Sequence, residues 1–237
     1  MAVFNVTNLL DMGAGSLRDA IDMANMNPGD DIINFDISLS GMTIGLTSGE
    51  LSITDSLTIN GLGSGNLSIS RDSGLPEFRI FNIDNNDIDD LIDVVINGLT
   101  ISGGELTGDL FPDNSGGGIF NAENLTLNNS TVSGNMAFTG GGIQNFYGVL
   151  TLEDSNISDN IADFGGGINN VYGDVDVVNS TISGNNANED GGGIQNDGGL
   201  LLVYDSNVTD NTASYNGGGI DNYFGLFPAF GEGMKYV

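Results

Sequence analysis

The chain has 237 residues and a formal net charge of −28, from 32 acidic side chains against only Arg18, Arg71, Arg79 and Lys235. Four cations make no basic face, so nucleic acid binding is excluded, anionic polysaccharides and anionic membrane surfaces are disfavoured, and divalent cations are favoured. Cysteine is absent, which excludes disulfides and thiolate metal sites, and no apolar stretch approaches the length of a membrane span, so no membrane insertion is expected.

In chain order, the first element predicted is a short helix. Ser16-Leu17-Arg18-Asp19 opens it as a near capping box, Leu17, Ala20, Ile21 and Ala24 form its apolar stripe, and Asn27-Pro28-Gly29 ends it. Residues 1–30 therefore read as a cap over the first coil of a strand-rich body covering 31–225. Asp31 to Ile53 suggests one coil, and Leu57 to Gly61 with Phe78 to Ile83 another. Val94 to Gly103 aligns with Leu125 to Gly134, so a coil lies there with a longer connection through Pro112.

From Gly116 onward the pattern is regular. Gly-Gly-Gly-Ile begins at Gly116, Gly140, Gly165, Gly191 and Gly217, each copy followed by one variable residue and Asn. This period of about 25 residues marks a stacked repeat. Leu125 and Leu127, Leu150 and Leu152, Val175 and Val177, Leu201 and Val203 alternate with polar residues, while Val132, Ile157, Ile182 and Val208 stand alone between polar neighbours. Three short strands per repeat describe one coil of a parallel β-helix, with like residues stacked about 4.8 Å apart. About seven coils would make a rod on the order of 30–35 Å long.

Two asparagine columns, Asn121, Asn145, Asn170, Asn196 and Asn222, and Asn135, Asn160, Asn185 and Asn211, are expected to form amide ladders and to tolerate left-handed backbone. The triple glycines supply tight corners, and Ala137, Ala162, Ala187 and Ala213 are small fillers at another corner. The tail 226–237 breaks the repeat, and its apolar Leu226, Phe227 and Phe230 suit a cap or an end-to-end assembly segment, since a solenoid's ends are unpaired strands.

These phrases resemble the Gly-Gly-Ala-Ile and Phe-x-x-Asn repeats of chlamydial polymorphic outer membrane proteins, and are similar to repeats of other large bacterial surface and secreted proteins. Val6-Thr7-Asn8, Gly15 to Ile21 and Asp31 to Phe35 resemble the segment that opens many of those secreted proteins. The resemblance implies a right-handed β-helix, an extracellular or cell-surface location, and an adhesive, matrix or filament role. The N-terminus lacks the basic and apolar regions of a signal peptide, so export is expected to rely on a removed signal, another export signal or excision from a longer chain.

Candidate chemistry is sparse. There is no His, and Arg71 and Arg79 fall outside the regular coils, which argues against lyase chemistry. A glycosidase needs two carboxylates, and Asp154 and Asp205 share one column, two coils or roughly 9–10 Å apart, with Glu153 adjacent. Acidic residues are so numerous that such a pair arises by coincidence. Asp84, Asp87, Asp89, Asp90 and Asp93 concentrate oxygen ligands suited to calcium in one insertion, without an EF-hand spacing. Thr131, Asn156, Thr181 and Asn207 beside Ser133, Ser158, Ser183 and Thr209 make hydroxyl rows of the kind ice-binding solenoids use. The aromatics Phe120, Phe138, Tyr147, Phe164, Tyr172 and Tyr215 are expected on the surface, where they would stack on a glycan or meet a cell-surface partner. The leading reading is a non-catalytic module.

Overall fold

The computed structural model describes residues 1–108 and 113–224, and there the chain is an all-β parallel solenoid of about eight turns with one α-helix. Three stacked parallel sheets form its faces. Sheet one holds eight strands: Val3–Val6, Asp31–Phe35, Leu57–Asn60, Asp93–Asn97, Asn124–Asn128, Val149–Glu153, Asp174–Val178 and Leu200–Tyr204. Sheet two runs from Met42–Leu46 to Asn207–Thr209, and sheet three from Leu51–Ile53 to Ile220–Tyr223, each with seven strands.

The turn count exceeds the seven read from the sequence because Val3–Val6 pairs in parallel with Asp31–Phe35 and adds a strand ahead of the helix. A second difference lies between sheets two and three. There the later coils carry a fourth short strand, Ile161–Phe164, Asn186–Asp190 and Thr212–Ala213, forming a small sheet of their own. Its sequence signal is weak, because only the small-residue column Ala162, Ala187 and Ala213 faces inward and most flanking residues are polar.

Register is uninterrupted across the repeats in the three main sheets, so Leu125, Leu150, Val175 and Leu201 stack, as do Val132, Ile157, Ile182 and Val208. Each strand projects every second side chain inward. The core is thus a set of aliphatic columns, with Leu127, Leu152 and Val177 fully buried from sheet one and Ile143, Ile168 and Ile194 from sheet three. At roughly 25 cal/mol per Å² of apolar surface removed from water, these columns are the main stabilising contribution.

The helix Leu17–Asn25 forms where the cap signal stands. The Asp19 N–H donates to Ser16 Oγ at 3.2 Å, and Leu17, Ala20, Ile21 and Ala24 are buried against the first coils. Arg18 fastens it from outside, donating to Asp11 and to the carbonyls of Gly49 and Glu50. Burial alone would raise the Asp11 carboxyl, but hydrogen bonds from Ser48, Thr47 and Arg18 pull it down to about 2. A lowered carboxyl stabilises the fold above its unfolded value near 3.9, and this contribution is lost as pH falls towards about 2.

Arg71, expected outside the coils, closes the strand Leu67–Arg71 and is buried; it donates to the Gly103 and Leu75 carbonyls and pairs with Glu105. Arg79 is buried too, with its Nε 3.3 Å from Glu50 and its guanidinium 5.1 Å from the Phe120 ring centroid. Burial pushes the Glu50 carboxyl up against the opposing pull of Arg79. The tail residues Leu226, Phe227 and Phe230 lie outside the described residues.

Candidate functional site

Most repeated polar residues build the coil. Asn121 donates its amide to Asn145 at 2.7 Å, Asn145 to Asn170 at 2.7 Å, Asn170 to Asn196 at 2.6 Å and Asn196 to Asn222 at 2.6 Å. In the other column Asn135, Asn160, Asn185 and Asn211 are linked at 3.0, 3.0 and 2.9 Å. Each acceptor oxygen of this second ladder also takes the backbone N–H one coil below. A third column was not singled out in the sequence: Ser155, Ser180 and Ser206 accept from the backbone N–H groups of Ser130, Ser155 and Ser180. Its signal is the Ser that precedes the last four strands of sheet two, at positions 130, 155, 180 and 206.

The ladder asparagines do not hold the left-handed conformations. Those fall on neighbouring columns: Gly98, Asn129, Asp154, Asn179 and Asp205 in one, Gly103, Gly134, Asp159, Gly184 and Asp210 in another. Asp154 and Asp205 thus have φ of +49° and +46°, as Asn129 and Asn179 do at +48° and +49°. Only Gly, Asn and Asp adopt this region readily, so the backbone accounts for the pair proposed as catalytic. Asp154 also accepts a hydrogen bond from the Asn179 amide, and Glu153 is an exposed neighbour at the end of its strand.

The acidic insertion is folded on itself. Asp84 accepts from the Asn86 N–H at 2.7 Å, Asn85 from Asp87 at 2.6 Å and Asp87 from Asp89 at 3.1 Å, a run of Asx turns. Asp89 and Asp90 are exposed on the same loop, and Asp93 begins the next strand, where it accepts from the Asn124 amide at 3.0 Å. Among the described residues no group of three or more Asp, Glu, His or Cys converges in a way that could hold a metal ion.

Glu123, not recognised in the sequence, anchors this loop. It is 1% exposed, and its two oxygens accept from the Asn85 N–H at 2.8 Å and the Ile92 N–H at 2.9 Å, one at each end of the insertion. Burial pushes its carboxyl up despite those two donors. Glu123 stands in the corner where later coils place Gly148, Gly173 and Gly199, and that break in the glycine column was its only sequence signal.

The anchored loop leans over the corner between sheets three and one, leaving a cavity of about 280 Å³ lined by Asp84, Asp87, Ile88, Phe120, Phe146 and Tyr147. Phe120 is buried, contrary to expectation, and forms the floor; Phe146, half-buried and overlooked in the sequence, stands between it and Tyr147. The Tyr147 ring lies 4.7 Å from Phe146 and 5.3 Å from Tyr172, so aromatic surface continues along the corner. Tyr147 and Tyr172 have φ of +59° and +57°, where bulky side chains are rare and cost about 1–2 kcal/mol each. Gly198 holds the same place in the next coil without a side chain, and the Tyr172 ring lies over it.

Phe138 and Phe164 pack edge-to-face at 5.9 Å on a different corner, and Tyr215 is exposed near the last coil, so neither joins the cleft. Among the described residues no helix is long and apolar enough to cross a membrane. No protein-family model matches the chain, and no curated protein matches it.

Proposed function

We propose that this chain is a non-catalytic adhesive or matrix module that acts outside a bacterial cell or on its surface and binds a glycan or another cell-surface ligand. The observation that carries this reading is the division of labour among side chains. The repeated polar columns, Asp154 and Asp205 included, have backbone roles, whereas the insertion anchored by Glu123 breaks the repeat beside a corner that holds tyrosines in a strained conformation. The rings pack on one another along the corner, yet Tyr147 and Tyr172 remain exposed, which leaves aromatic surface for an outside partner. Self-association end to end, and calcium bridging between acidic faces, belong to the same reading.

The test is adsorption of the purified chain to insoluble glycans and to bacterial cells, with released soluble sugar assayed in the same tubes. Saturable adsorption without sugar release is the expected result. Release of sugar that grows with time would replace the adhesive reading with a glycosidase.

One specific observation favours a second reading. Sheet two presents Ser68 and Ser70, Thr100 and Ser102, Thr131 and Ser133, Asn156 and Ser158, Thr181 and Ser183, Asn207 and Thr209 in continuous register, all uncharged in a chain of net charge −28. Such a grid of uncharged side chains, mostly hydroxyls, suits ordered water on an ice surface. This reading predicts thermal hysteresis that is lost on Thr181→Lys; its absence from the unmodified chain leaves the grid as an ordinary solvated β face.

A further inference from the structure

The shape and charge of the corner cleft specify a class of ligand, an inference that rests on the adhesive reading and deepens it. One wall is the exposed Tyr147, backed by Phe146, with Ile88 contributed by the loop. The other wall is acidic, with Asp84 and Asp87. Each of these carboxylates gives one oxygen to an N–H of the loop, Asn86 for Asp84 and Asp89 for Asp87. The second oxygen of each has no intramolecular partner among the described residues. The third carboxylate of the lining, Glu123, is closed off by its two N–H donors and acts only as the loop's anchor.

Three consequences follow. An anionic ligand is repelled by two open carboxylates and by a net charge of −28. A purely apolar ligand would cover those carboxylates without giving them hydrogen bonds, which is unfavourable. A ring with one C–H face and a protonated amine satisfies both walls: the C–H face lies on the exposed Tyr147, and the ammonium meets Asp84 and Asp87 with the Tyr147 ring adding attraction. We propose that the cleft binds a pyranose carrying a free ammonium group, an amino sugar presented on a cationic polysaccharide. The tyrosines of the corner give such a polymer a path beyond the cleft, since Tyr172 continues the aromatic surface one coil further.

The strained φ of Tyr147 supplies the decisive variant. Asn is at home in that backbone region, so Tyr147→Asn removes the ring without disturbing the backbone of the corner. Asp87→Asn is the matching change on the acidic wall, because the amide oxygen still accepts from the Asp89 N–H while the charge is gone.

The experiment uses the whole chain with soluble oligo-glucosamine, its N-acetylated counterpart and an oligolysine of similar charge, read by calorimetry and tyrosine fluorescence. The chain has no tryptophan, so the tyrosine signal is unobscured. Expected are saturable binding of oligo-glucosamine that weakens with salt, at least about tenfold weaker binding by Tyr147→Asn and by Asp87→Asn, and a cooperatively melting native fold in both variants. The proposal is overturned by equal binding of the N-acetylated oligomer, which would make this a neutral-sugar site. Equal binding of oligolysine, which would make it a general cation trap, also overturns it, as does oligo-glucosamine binding that both variants retain. If the chain adsorbs to glycan surfaces yet oligo-glucosamine fails to bind, the cleft assignment falls and the adhesive reading stands. If oligo-glucosamine binds while nothing insoluble is adsorbed, the adhesive reading falls and the cleft stands.

Discussion

Gly166→Ala is expected to destabilise the central coils by at least about 3 kcal/mol, whereas Gly134→Asn is expected to change stability by less than about 1 kcal/mol. Both are glycine corners of the same array, and their geometry differs. A Cβ on Gly166 would sit 2.6 Å from the Asn186 carbonyl oxygen and 2.6 Å from that of Gly192. Both atoms are backbone, and the Gly192 N–H is itself bonded to the next coil, donating to the Gly217 carbonyl at 3.0 Å. No side chain can swing away, so relief requires one coil to lift from its neighbour. At Gly134 a Cβ would meet nothing within 4 Å, and only the φ of +64° matters. Its column already accepts Asp159 and Asp210 at +56°. Because a solenoid's coils interact mainly with their neighbours, the damage at Gly166 should be local. Hydrogen exchange read coil by coil should show amide protection lost around residues 160–195 and retained near the helix cap; uniform protection after Gly166→Ala would show that the corner is not close-packed.

Asn160→Ala is the second large effect, at about 3–5 kcal/mol. The Asn160 Oδ1 accepts both the backbone N–H and the amide of Asn135, each at 3.0 Å. Its amide donates to the Val132 carbonyl at 3.0 Å and to Asn185 Oδ1 at 3.0 Å. Alanine removes all four bonds where both asparagines are fully enclosed. Each buried polar group left without a partner costs about 1–3 kcal/mol, and water has no route in. Asn160→Asp should be no better, since it removes both donors and sets a carboxylate against two acceptors. Asn211→Ala should cost only about 1 kcal/mol, because Asn211 is half-exposed and water can take over its bonds. Equal melting-temperature losses at 160 and 211 would contradict this account of the ladder.

The fold was largely legible because one physical rule repeats. In the regular coils the inward columns of sheet one are aliphatic at a spacing of two along the strand, and the same columns recur after each Gly-Gly-Gly-Ile. The capping helix was legible for a local reason, since Ser16 and its apolar stripe follow ordinary helix chemistry. What escaped was less periodic. Val3–Val6 lies outside the repeat and gains its place only by pairing with Asp31–Phe35. The fourth strands bury little more than a column of alanines and depend on their neighbours above and below.

The candidate site was legible only in pieces. Asp84, Asp87 and Tyr147 were conspicuous by composition, but nothing local brings them together. That task falls to Glu123, which reads in the sequence as one acid among many and acts through burial and two backbone donors. Asp154 and Asp205 were conspicuous for a local reason. Their shared column was real, but the cause of the pairing is a backbone angle that Asp and Asn meet equally well.

The central claim is that the repeated columns serve the coil and that recognition belongs to the corner beside the insertion that breaks the repeat. Its most direct measurement is the adsorption and sugar-release assay, run with the unmodified chain and with Asp154 and Asp205 both changed to Asn. The account predicts the same adsorption isotherm, the same melting curve and no released sugar from either protein. Sugar released by the unmodified chain and abolished in the double variant would contradict it, and would move the functional site from the aromatic corner to the carboxylate column.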